Sequence, residues 1–113
     1  MNGCEPDRAR TALVADVVSL ATGIEPDEVL SERRLRPAAV RARHMAMYLA
    51  NVVYGWPLQR VGQAFGRDRS TASHACGAIE DLRDDPVMDR LLDRLEACLR
   101  HAPGGDLFEQ AGA

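Results

Sequence analysis

The sequence predicts an all-α domain of about six helices, and three observations carry that expectation. Apolar residues recur at helical spacing in one segment after another, with no strand pattern, repeat or low-complexity block. Glycine, proline and aspartate stand between those segments, where helix caps and stops belong. The chain has 113 residues and 46% apolar content, which suits one domain with one modest core.

Taken in order, Arg8 to Thr22 carries Leu13, Val14, Val17, Leu20 and Ala21 as a helical stripe, and Gly23 follows in the position of a C-terminal stop. Ile24 to Leu30 reads as a short second helix, with Pro26 in its first turn and acids beside its N-terminus. The arginine-rich stretch Ser31 to Pro37 lacks periodicity and reads as a loop. Ala38 to Tyr54 is the longest helix, with Val40, Met45, Tyr48, Leu49, Val52 and Val53 largely on one side and Gly55 ending it. Pro57 is suited to open the next helix, which Leu58, Val61 and Ala64 or Phe65 continue for about two turns before Gly66. Asp68 then caps a helix that runs through Thr71, Ala75, Ala78, Ile79 and Leu82. Asp85 and Pro86 start a last helix whose stripe, Met88, Leu91, Leu92, Leu95, Cys98 and Leu99, reads as core, with a dimer seam as the alternative. Residues 8–101 are thus expected to form the domain, and 102–113 a disordered tail.

No stretch approaches the roughly 20 uninterrupted apolar residues of a membrane helix. Met1 to Glu5 lacks an export leader, so the expected location is the cytoplasm, on the nucleoid. Cys4, Cys76 and Cys98 are too scattered for a disulfide framework or a metal pair and read as reduced thiols, Cys76 and Cys98 packing as small apolar groups. All 14 basic residues are arginine. The net charge of −3 conceals a strong segregation. Residues 31–75 hold eight arginines against two acids, whereas 1–30 hold two against six and 76–113 hold four against nine. A basic centre between acidic ends is the footprint expected for a polyanion.

The chemistry gathers at Gly66 to His74. With Asp68 as cap, Arg69, Ser70, Ser73 and His74 fall in the first two turns, the part of a recognition helix that reaches base edges. A short helix, a tight glycine turn and a longer helix with a polar, arginine-bearing start make a helix-turn-helix. Arginine pairs bidentately with guanine, hydroxyls suit bases or phosphates, and a threonine methyl meets the thymine methyl. Arg41 and Arg43 stand in the first turns of their helix, where its dipole gains nothing from a cation; contact with phosphate or base gives that placement a reason.

The run Arg60 to Ile79, RVGQAFGRDRSTASHACGAI, resembles the signature of the C-terminal DNA-binding domain of the bacterial replication initiator DnaA. Upstream, Ala42 to Leu49 resembles that family's AR-x-x-AMYL helix. Ile24, Asp27, Val29, Leu30, Ser31 and Arg33-Arg34 resemble its I-x-x-x-D-L-x-S-x-x-R segment, and the likeness covers roughly residues 10–100. The resemblance implies a TrpR-like helix-turn-helix domain that binds double-stranded DNA. It places Arg41, or Arg43, at an arginine that enters the minor groove. Arg67, Asp68, Ser70, Thr71 and His74 match the recognition segment, where Asp and Thr meet bases and the remainder touch phosphate or packing. Leu58 and Arg60 match the preceding helix, which approaches the DNA backbone. Three positions depart from the family pattern: its first His is Arg69, its usual Val is Ala72, and its late Lys or Arg is Ala78. Arg69 favours a guanine-like acceptor pair. The 113 residues hold no GxxxxGK[ST] loop, so neither ATP nor another cofactor is expected, and strand opening by ATP-driven assembly is not.

Other residues have plainer readings. His44 and His101 read as helix-surface histidines without metal-ligand spacing, and Trp56 as a hydrophobic bracket between helices. Ser70 and Ser73 lie near His74 without an orienting carboxylate or oxyanion pocket, so no catalysis is expected. The leading function is a sequence-specific stand-alone regulator of replication initiation or transcription at DnaA-box-like sites. A reading from another class is an interaction module, in which the acidic ends and the Met88–Leu99 stripe bind the initiator or RNA polymerase and DNA contact is weak.

Overall fold

The computed structural model describes residues 5–31, 33 and 36–102, with only the backbone of residues 5 and 6. Six helices follow in order: α1 (Glu5–Thr22), α2 (Pro26–Leu30), α3 (Pro37–Tyr54), α4 (Leu58–Ala64), α5 (Arg69–Leu82) and α6 (Pro86–His101). Apart from Ala102, the tail expected at 102–113 lies outside the described residues, as does Cys4.

The boundaries follow local chemistry. Gly23 and Gly55 close α1 and α3 with φ of 79° and 67°, a left-handed conformation in which any side chain would be strained. Proline opens α2, α3 and α6 within their first turns, where the missing N–H has no intrahelical partner to lose. Pro37 is therefore the first residue of α3 and not the end of the preceding loop, while Pro57 sits one place earlier than expected, as the cap residue of α4. Asp85 caps α6 by accepting from the backbone N–H of Val87.

The helix α3 is the axis of the molecule. Its apolar residues were expected on one side, but Met45 to Ala50 are buried without a break. A helix buried all round must be covered on every side, and α1, α2, α4, α5 and α6 all pack against α3. The stripe of α1 is also rotated from the expected one. Thr11, Val14, Ala15 and Val18 turn inward, and Leu20, about 200° round the helix from Val18, is 88% exposed. Thr11 tolerates its buried place because its hydroxyl donates to Asp7 O at 2.7 Å. In α6, Leu92, Leu95 and Leu99 are core, whereas Cys98, beside Leu99 on the outer flank, is exposed and does not pack as expected. Cys76 is buried, and burial first, with Glu80 adding to it, pushes its thiol up to about 11.

Trp56 is the expected bracket. It is 1% exposed, its carbonyl accepts from Asn51 Nδ2 at 2.8 Å, and its ring lies 5.3 Å from that of Tyr54. The turn from α3 into α4 is thereby fixed. Among the described residues no helix is long and apolar enough to cross a membrane.

Candidate nucleic-acid interface

The turn between α4 and α5 is built on two glycines. Gly66 takes φ of 67°, and Arg67 N then donates back to Gly62 O at 2.7 Å. That return bond folds the chain tightly over Gly62: a Cβ there would lie 2.8 Å from both Arg67 O and Asp68 O. Phe65 is buried beneath the turn. Asp68 leaves the turn in extended conformation and its Oδ1 accepts from Thr71 N at 2.8 Å, as a cap should. Hydrogen bonding to Thr71 holds the Asp68 carboxyl below the usual range.

The capped helix then divides its residues cleanly. Ala72, Ala75, Cys76 and Ile79 face the core, while Arg69, Ser70, Ser73 and His74 are exposed and Thr71 is half-buried. The expected reading surface therefore points outward. Arg41 is also exposed. It borders an open groove of about 340 Å³ between α3 and α5, whose walls include His44, Ala78, Ile79 and Leu82.

Other expected contacts are engaged elsewhere. Arg43 is only 7% exposed, and its Nη2 donates to Arg33 O at 3.2 Å, tying α3 to the loop before it. Burial, then repulsion from Arg67, lowers its pKa below the ordinary arginine value. Arg43 therefore does not look outward alongside Arg41 as expected: residues two places apart on a helix diverge by about 200°, so Arg41 is exposed and Arg43 is turned inward. Arg67 is half-buried and reaches Ser31 O at 3.5 Å. Arg60 makes a two-pronged ion pair with Asp7 at 2.6 and 2.9 Å and stacks over Trp56 at 4.6 Å, tying α4 to α1. Leu58 is half-buried against the core.

Three features escaped the sequence reading. The close approach at Gly62 depends on the path of the turn. His44, expected on the surface, is half-buried and meets His74 of α5 edge to face, ring centres 5.8 Å apart. Arg83 donates to Tyr48 on α3 and to Asp89, Asp93 and Glu96 on α6, just past the end of α5. The one cue to Arg83 was a lone arginine among acids. Among the described residues no group of three or more His, Cys, Asp or Glu side chains could hold a metal ion.

A short helix, a glycine turn and a capped helix with an outward polar start, packed on a central helix, define this chain as a helix-turn-helix protein. Residues 11–79 match the family described as the bacterial DnaA protein helix-turn-helix, and the chain belongs to that family. It is 39% identical over 79 residues to the chromosomal replication initiator protein DnaA of Mesorhizobium japonicum. The identity to that protein of Brucella abortus is 38% over 79 residues, and to that of Caulobacter sp. (strain K31) 42% over 80 residues. Each match covers 69% of this chain but only 16% of the relative, so the likeness concerns a small part of those proteins. The crystal structure of a DNA replication initiation factor superposes with a TM-score of 0.74 at 25% identity, covering 84% of this chain and 29% of that one.

Proposed function

We propose that this chain binds double-stranded DNA sequence-specifically, as a stand-alone regulator of replication initiation or transcription at DnaA-box-like sites. The observation that carries the reading is the Asp68-capped helix, with Arg69, Ser70, Ser73 and His74 outward and Arg41 exposed on the neighbouring helix. Membership of the DnaA helix-turn-helix family supports it. Arginine contacts to phosphate supply salt-sensitive affinity, and the start of α5 supplies sequence preference. Asp68 and Thr71 form the inner edge of the reading surface, since one holds the other's backbone N–H. Arg43, Arg60 and Leu58 act from inside, by holding α3 and α4 in place beneath it.

Selection of bound duplexes from a random pool tests the reading and yields the preferred site. Arg69→Ala is expected to weaken binding of that site by about 1–3 kcal/mol and to relax preference at one base pair. Arg41→Ala is expected to weaken A·T-flanked sites most, because a narrow minor groove concentrates negative potential. Equal affinity of the wild-type protein for selected and random duplexes would end the reading.

A further inference from the structure

The two helices that form the proposed DNA surface touch through a pair of imidazoles. His44 of α3 and His74 of α5 lie 5.8 Å apart with their planes at 84°. His74 is exposed on the outer side of α5 with Ser70 and Ser73, and His44 lines the groove that Arg41 borders. The charged or titratable groups that bear on His44 are Arg41 and Arg43 of its own helix and His74 of α5. The groove is otherwise walled by Pro37, Val40, Ala78, Ile79 and Leu82, with no carboxylate. On α5 the nearest acids in sequence are Asp68, committed to capping, and Glu80, beyond the groove-lining Ala78 and Ile79.

Among the described residues, a histidine so placed has cations and an imidazole bearing on it and no carboxylate in its groove to neutralise a proton. Burial, then His74 and Arg43, hold its pKa below the ordinary histidine value, so the free protein keeps it neutral at physiological pH. A duplex laid across Arg41 and the start of α5 reverses that balance, because it brings phosphate charge to the same edge. We propose that His44 is a further DNA-contacting residue: on binding, His44, packed edge to face against His74, takes up a proton from solvent and holds a backbone phosphate beside Arg41. The inference rests on the proposed DNA-binding function and adds a residue and a proton to it. The proton must be drawn from solution, so affinity rises as pH falls through the interval between the free and bound titrations.

The test is duplex binding by fluorescence anisotropy across a salt series, at about pH 6 and about pH 8, for wild type, His44→Gln and His74→Gln. For the wild type, affinity is expected to rise by about three- to tenfold at the lower pH. The plot of log affinity against log salt is expected to steepen by about one, as it does when one more phosphate is neutralised. In His44→Gln both changes should vanish while the preference for the selected sequence persists, and in His74→Gln they should shrink. A titration of the imidazole Cε1 protons by NMR should show His44 shifting to higher pKa in the complex. Sequence-specific binding whose salt slope is the same at both pH values overturns the inference and leaves the DNA-binding reading intact. So does a pH effect that His44→Gln retains. Absence of any sequence preference removes the DNA-binding reading itself.

Discussion

At Gly62 a methyl group would meet the Arg67 and Asp68 carbonyls at 2.8 Å, and neither can retreat without opening the turn. At Gly77, on the exposed side of α5, nothing lies within 4 Å of where that group would be. The same substitution therefore has opposite signs. Gly62→Ala is expected to destabilise the protein by about 1–3 kcal/mol through overpacking, and Gly77→Ala to stabilise it by about 0.5–1 kcal/mol through helix propensity, both measured by urea denaturation. His44 adds a pH dependence to the free protein. Its folded pKa lies below the unfolded value of 6.5, so below that pH the unfolded chain binds more protons. Stability is thus expected to fall as pH drops through 6.5 toward the lowered folded value, and His44→Gln to flatten that stretch of the profile. None of these three residues could be assigned from spacing. Gly62 and Gly77 are alike in sequence terms, and His44 became half-buried only because another helix lay across it.

The helices themselves were mostly legible, because what starts and stops them is local. Gly23, Gly55, Gly66, Asp68 and Asp85 each act within a few residues, and each occupies the place that its chemistry predicts. Which side of a helix faces inward was less so. Two arginines two places apart, Arg41 and Arg43, carry the same charge on the same helix, and the packing of α3 sends one out and one in. Arg60 shows how an element can be held for reasons that resemble function. It looks like a DNA contact in sequence, but its partner is Asp7 at the far end of the chain. Arg60→Ala is expected to lower the thermal midpoint by loosening α4 from α1, with a weaker affinity for DNA but an unchanged preferred sequence. A changed preference in duplex selection would mean that Arg60 reads bases.

On the scale of the whole molecule, Arg83 joins three helices. Desolvation opposes its charge, but the hydrogen bonds it donates to Tyr48, Asp89 and Asp93 outweigh this and raise its pKa. Glu96 accepts from it as well. Arg83→Met is expected to destabilise the protein by about 1–3 kcal/mol, since Asp89 and Asp93 would lose their shared cation and Glu96 would keep only Arg100. The loss should appear in chemical denaturation with the unfolding transition still cooperative. The sequence by itself determined six helices, the glycine turn, the Asp68 cap and the basic centre, because periodicity, capping and charge segregation are properties of neighbouring residues. Only the tertiary structure decided that Arg43 is interior, that Asp7 claims Arg60, that Arg83 clasps α3 and α6, and that His44 meets His74. Each of those depends on residues distant in the chain, and helix packing alone determines which of them come within the few ångströms over which hydrogen bonds and ion pairs act.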